Sequence, residues 1–153
     1  VWRATVELAV IYNYFERATT QQSDLREDRM GSSVLIIEDD DTSMDLMIFL
    51  LNSMGLLAIP ALNGPAGLAI AKSQSPALIL CDIQMPHLDG MAIIRHLKSD
   101  PDLCQIPVVA VTAMAMEGDE QRLRQAGFDG YLGKPIDIRA LTDTLLPHLN
   151  KRR

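Results

Sequence analysis

The sequence predicts an α/β fold: a five-stranded parallel sheet in the order 2-1-3-4-5 with helices on both faces. Three observations lead there. Strand patterns alternate strictly with helical patterns from Ser33 onward, and each connection is only a few residues long. Three of the strands are nearly continuous apolar runs, as strands covered on both faces are. The second strand contains Pro60, which cannot donate to a ladder, so this strand belongs at a sheet edge. Right-handed crossovers then give a parallel sheet in that strand order.

The first strand is Val34–Ile37. The helix after it opens at Asp41 or Thr42 as cap, carries Met44, Met47, Leu51 and Met54 on one face, and ends at Gly55. The second strand is Leu56–Ala61. Asn63-Gly64-Pro65 then starts a helix reaching about Ser73, because proline suits a first turn. The third strand, Ala77–Asp82, is apolar enough to be central. The loop Met85–Asp89 leads to a helix near Gly90–Lys98, with Asp89 as cap. The fourth strand is Ile106–Val111, with Pro107 confined to its start, and a polar helix follows near Met116–Gln125. The fifth strand is the short Gly130–Leu132. The last helix is Asp137–Leu149, with Ile138, Leu141, Leu145 and Leu149 inward. Pro147 removes a hydrogen bond there, so the final turn is expected to be distorted or already ended.

Residues 1–31 differ from the rest. Val1–Phe15 is apolar and aromatic, with Val6, Val10 and Tyr14 at helical spacing, and Thr19–Met30 is polar and charged like a linker. This stretch reads as an N-terminal extension: a helix from an upstream domain, a dimerising arm, or an extension with no role. Residues 32–150 form the folded domain, and Lys151-Arg152-Arg153 is a short basic tail.

At 153 residues the chain can bury a core without staples. The net charge of −6 argues against non-specific binding to nucleic acid or anionic membrane. Cys81 and Cys104 are too far apart for a CxxC motif, and Cys81 sits within an apolar strand as a reduced core thiol, which fits a cytoplasmic setting. No apolar run is long enough to span a bilayer. Glu7 and Glu16 interrupt the only apolar N-terminal stretch, so no secretory signal is expected.

Polar side chains recur at the strand ends. Glu38-Asp39 follows the first strand, Asp82 ends the third, Thr112 follows the fourth, and Lys134-Pro135 follows the fifth. In open parallel sheets such ends share a crevice. Three carboxylates brought close together repel, and proton uptake or a bound divalent cation relieves this. An all-oxygen set suits Mg²⁺, which keeps waters and borrows phosphate oxygens. Asp82 is then the candidate nucleophile, accepting a phosphoryl group as an acyl phosphate. Thr112 could donate its hydroxyl to a phosphoryl oxygen and Lys134 could pair with another, while Ala113 leaves room. Taken singly, each acid or threonine could instead cap a helix, and the lysine could simply be solvated.

These residues carry a resemblance. From about Val34 to Leu149 the chain resembles the receiver domain of two-component response regulators, the CheY-like superfamily with its flavodoxin-like fold. The matching stretches are Val34-Leu35-Ile36-Ile37-Glu38-Asp39-Asp40, Leu80-Cys81-Asp82-Ile83-Gln84-Met85-Pro86-His87-Leu88-Asp89-Gly90, Ile106-Pro107-Val108-Val109-Ala110-Val111-Thr112-Ala113 and Gly130-Tyr131-Leu132-Gly133-Lys134-Pro135. The stretch from Ile106 through Glu120 looks most like single-domain regulators of the DivK type.

The resemblance implies that Asp82 is the phosphoacceptor. It implies that Asp39 is a direct Mg²⁺ ligand with Glu38 as its acidic partner, and that the backbone carbonyl of Gln84 meets the metal. It makes Thr112 and Lys134 the switch hydroxyl and phosphate-binding lysine, and Tyr131 the aromatic that follows Thr112. It also implies a cis bond at Lys134–Pro135. Gln84 and Met114 fall where the family varies, and His87 reads as a surface loop side chain.

The implied function is phosphorelay signalling. The chain would take a phosphoryl group from a phosphohistidine on a histidine kinase or phosphotransfer protein, and then present a changed face to a downstream protein. That face is built by the fourth helix, fifth strand and fifth helix. The first helix, with Ile48 and Phe49 off its main stripe, could dock the donor's helical bundle. Such a domain is no enzyme beyond catalysing its own phosphorylation and dephosphorylation. A stand-alone receiver is expected, and the C-terminal receiver of a hybrid sensor kinase is the alternative. Two other classes fit less well. A phosphatase would want an acid at Gln84. A flavodoxin-like cofactor binder would want a phosphate loop where Glu38-Asp39-Asp40-Asp41 stands.

Overall fold

A computed structural model describes residues 31–113 and 118–150 of the chain. The expected helix in residues 1–31, the start of the fourth helix at Met116, Met114 and the basic tail lie outside the described residues, apart from Gly31 itself. The elements are β1 (Ser33–Ile37), α1 (Asp41–Ser53), β2 (Leu57–Ala61), α2 (Gly64–Gln74), β3 (Leu78–Asp82), α3 (Gly90–Ser99), β4 (Val108–Thr112), α4 (Asp119–Ala126), β5 (Gly130–Gly133) and α5 (Ile138–Leu149).

All neighbouring strands pair parallel, in the order β2-β1-β3-β4-β5. Pro60 lies opposite Ile36 on the outer strand, where its missing N–H leaves no ladder bond unmade. The period-2 alternation of side chains splits the core into two layers. Leu35, Ile37, Ile79, Cys81, Val108 and Ala110 face one side and meet Ile93, Ile94 and Leu97 of α3 and Leu123 of α4. Val34, Ile36, Leu78, Leu80, Val109 and Val111 face the other and meet Met44, Met47 and Leu51 of α1 and Leu141 and Leu145 of α5. Cys81 is a buried free thiol, as its apolar setting predicts, and that burial pushes its pKa up. Among the described residues no helix is long and apolar enough to cross a membrane.

Helix ends follow side-chain chemistry. Asn63 caps α2 by accepting from the Ala66 N–H at 2.8 Å, and Asp89 caps α3 through Ala92 at 2.8 Å. One expectation needs correction. The cap of α1 is Asp40, whose carboxylate accepts from the Ser43 N–H at 2.7 Å, and neither Asp41 nor Thr42 takes that role. At the far end, α5 reaches Leu149 as expected, with Pro147 inside the helix rather than beyond its end and Asn150 donating to the Leu146 carbonyl at 3.2 Å. The proline lies in the final turn, and fully buried Leu141 and Leu145 hold the helix on the sheet. Gly55 closes α1 as expected, at φ +78°.

Register brings the chemistry to one edge. Ile37 lies opposite Cys81, Asp82 opposite Val111, and Thr112 opposite Gly133. The residues that end or follow β1, β3, β4 and β5 are therefore neighbours across the sheet.

Candidate functional site

Glu38 directly follows β1 and is fully buried. Its backbone N–H donates to the Ala61 carbonyl at 3.1 Å, continuing the β1–β2 ladder. One carboxylate oxygen, Oε1, accepts from the Asp40 N–H at 3.0 Å, and Oε2 accepts from Lys134 Nζ at 2.8 Å. Asp82, the last residue of β3, is 4% exposed, so nearly all of its contact is with protein. Its Oδ1 accepts from the Gln84 N–H at 3.0 Å and its Oδ2 from Lys134 Nζ at 3.3 Å. Asp39 is exposed at the mouth of the site. One carboxylate oxygen from each of Glu38, Asp39 and Asp82 lies within 4.8 Å of the others.

One ammonium thus lies against two of the three carboxylates, Glu38 and Asp82. Burial disfavours the charge on Lys134, but the hydrogen bond from its ammonium to Glu38 and the charges of Asp82 and Glu38 outweigh that penalty and hold its pKa above the ordinary value. The donor set is all oxygen, with an exposed side at Asp39. It fits a hard, partly hydrated divalent cation such as Mg²⁺ better than any softer metal.

Thr112 is buried at the end of β4, and its carbonyl accepts from the Lys134 N–H at 2.8 Å. That bond ties the lysine's backbone to β4 while its side chain crosses to β1 and β3. Ala113 beside it is exposed. The Lys134–Pro135 peptide is cis. Tyr131 is half-buried in β5, against the apolar layer that holds Leu123 and Phe128. Gln84 is exposed, and its backbone amide, rather than its side chain, touches Asp82. His87 is exposed in the same loop at φ +68°, where Leu88 donates to the Pro86 carbonyl at 2.9 Å. Glu38, Asp39, Asp82 and Lys134 are therefore brought into one site, with Thr112 joined through its backbone; Tyr131 packs in the adjoining layer.

Two contributors escaped the sequence reading. The Asp40 amide orients Glu38, and Gly90 packs against the backbone of Asp82. The run of acids hid the first, since each of its aspartates could serve as a cap. The second depends on a close approach that no pattern encodes.

Residues 34–146 match the family described as the response regulator receiver domain. The chain belongs to that family. Among curated proteins this receiver is similar to the polar-differentiation response regulator DivK of Brucella anthropi, at 42% identity over 120 residues, covering 78% of this chain and 98% of the relative. DivK of Brucella abortus is similar at 41% over the same length and the same shares. Among solved structures, the receiver domain of a signal transduction histidine kinase from Syntrophus aciditrophicus matches with a TM-score of 0.72 and 31% identity, over 80% of this chain and 94% of that one. The receiver domain of a sensor histidine kinase from Pseudomonas aeruginosa matches with a TM-score of 0.73 and 28% identity, over 79% and 99%. That domain holds a magnesium ion coordinated in its active-site cleft.

Proposed function

We infer that this receiver accepts a phosphoryl group on the Asp82 carboxylate and uses it to change a protein-binding face. The observation that carries the reading is the placement of Lys134 Nζ between Glu38 and Asp82, beside carboxylate oxygens that converge within 4.8 Å. In the step, an Asp82 oxygen forms a bond to phosphorus as the bond from phosphorus to the donor imidazole nitrogen breaks, and the histidine leaves with that electron pair. The Gln84 N–H holds one carboxylate oxygen in place while this happens. Lys134 turns its ammonium from the carboxylates toward a phosphoryl oxygen, and the Thr112 hydroxyl donates to another. Glu38, Asp39, Asp82 and the Gln84 carbonyl would hold Mg²⁺, which supplies positive charge to the phosphoryl oxygens.

The signal follows from where Thr112 sits. A new dianionic group at Asp82 draws its hydroxyl inward, which opens space for Tyr131 and shifts the balance of the face made by α4, β5 and α5. A histidine kinase or phosphotransfer protein is the donor, a downstream protein binds that face, and the setting is cytoplasmic. Similarity to DivK regulators, at 42% identity over 98% of the relative's length, supports the reading of a single-domain regulator over a receiver cut from a hybrid kinase.

Incubation with acetyl phosphate and Mg²⁺, followed by intact mass, tests the reading. The wild-type chain should gain one phosphoryl mass and Asp82→Asn should gain none; equal uptake by both would move the acceptor elsewhere.

A further inference from the structure

We propose that Gly90 is a positioning residue for the Asp82 carboxylate, acting through the Ile83–Gln84 backbone; the functional consequence rests on reading Asp82 as the phosphoryl acceptor. Gly90 is the buried first residue of α3. A Cβ at this position would lie 2.6 Å from the Asp82 carbonyl oxygen and 2.7 Å from Ile83 Cα. Both are backbone atoms, so no side-chain rotation can relieve the overlap. The Gly90 N–H also donates to the Ile83 carbonyl at 3.2 Å.

The segment is held from the other side as well. The Ile83 N–H donates to the Val111 carbonyl at 3.0 Å, so β4 grips the residue that α3 presses against. The next amide, that of Gln84, donates to Asp82 Oδ1 and leaves Oδ2 facing Lys134. A side chain at Gly90 must either lift α3 or displace the Asp82–Gln84 backbone, and the carboxylate moves with that backbone. Gly67 provides the contrast: the nearest atoms to its Cβ, from 2.5 Å, all belong to the Ile37 side chain and none to backbone. At Gly64 and Gly67 the atoms within 3.0 Å of a Cβ belong to side chains, whereas at Gly90 they belong to backbone.

The test compares Gly90→Ala with Gly67→Ala in the full chain. Three quantities are measured: thermal midpoint, the Gln84 amide proton shift, and the rate of phosphoryl uptake from acetyl phosphate at saturating Mg²⁺. Both variants should lose stability. Gly90→Ala alone should move the Gln84 amide and slow uptake by at least about tenfold, within the range that sub-ångström misplacement of a reacting group produces. An unmoved amide with an unchanged rate in Gly90→Ala overturns the proposal, as does an equal change in Gly67→Ala.

Should Gly90→Ala not fold, Asp89→Ala carries the test. It removes the α3 cap and loosens the same first turn without adding an atom. A shifted Gln84 amide and slower uptake are then expected, and no change in either overturns the proposal. A wild-type chain that takes up no phosphoryl group defeats the acceptor reading instead, while the Gln84 amide still decides whether Gly90 positions Asp82.

Discussion

Lys134 lies nearer to Glu38 than to Asp82: its Nζ is 2.8 Å from Glu38 Oε2 and 3.3 Å from Asp82 Oδ2. The lysine is thus the resting counter-ion of two carboxylates almost wholly removed from water. Taking it away leaves both uncompensated, which is costly even though the pair itself adds little over an apolar replacement. Lys134→Met should lower the unfolding free energy by about 2–4 kcal/mol in denaturant without divalent cations, somewhat below the usual range because the lysine is only half-buried. Added Mg²⁺ should raise the thermal midpoint of Lys134→Met more than that of wild type, since the cation then meets carboxylates that no longer hold an ammonium. Equal stability, or equal Mg²⁺ shifts, would show that Lys134 does not balance this cluster.

The same contact sets an alkaline limit. The pKa of Lys134 is raised above 10.5 in the folded chain, where burial opposes the charge and the bond to Glu38, with Asp82 and Glu38 nearby, outweighs it. The folded state therefore holds this proton more tightly than the unfolded one. Its stabilisation is fully present below 10.5 and is lost as pH rises through the raised value. Urea unfolding from about pH 9 to about pH 11.5 should show stability falling with a steeper slope in wild type than in Lys134→Met. Identical slopes would contradict it.

Phe49 and Leu46 are exposed at 58% and 43% on α1, three residues apart and so on one face. An aromatic left in water on the helix that leads out of Glu38-Asp39 suits docking of the phosphodonor. Phe49→Asp should change stability by about 1 kcal/mol or less, because no core contact is lost. Transfer from a phosphorylated kinase or phosphotransfer protein should slow by about tenfold, the loss of a moderate interface anchor. Uptake from acetyl phosphate, which needs no docking surface, should stay as in wild type. Unaltered protein-to-protein transfer would remove α1 from the interface.

Tyr131 lies in β5, and Thr112 at the end of β4 faces Gly133 of the same neighbouring strand, so a change at the site has a short path to the α4–β5–α5 face. Beryllofluoride with Mg²⁺ should shift backbone amides of α4, β5 and the first turns of α5, along with the Tyr131 ring signals. Shifts confined to residues next to Asp82 would break the proposed link between site and face.

Much of this was legible because parallel strands buried on both faces leave no polar positions to confuse the pattern. Val34–Ile37 and Leu78–Cys81 read as strands for that reason, and Pro60 identified the edge. Strand ends then located Glu38, Asp82, Thr112 and Lys134 without knowledge of the packing. What could not be read depends on competition or close approach. Three successive aspartates, Asp39, Asp40 and Asp41, all satisfy the chemistry of a cap, and only the turn geometry selects Asp40. Whether Pro147 ends α5 early could not be read from local propensity; the helix includes it and reaches Leu149. The preference of Lys134 for Glu38 over Asp82, and the approach of Gly90 to Asp82, are distances between segments far apart in the chain or folded back on each other.

The most direct test of the phosphoryl-acceptor claim is reduction of the acetyl phosphate-treated chain with borohydride, followed by peptide mapping. An acyl phosphate on Asp82 is reduced to homoserine, so the peptide spanning Leu78–Met91 should carry homoserine at position 82 only after phosphorylation with Mg²⁺. Homoserine at Asp39 or another carboxylate, or none anywhere despite phosphoryl uptake, would contradict the account.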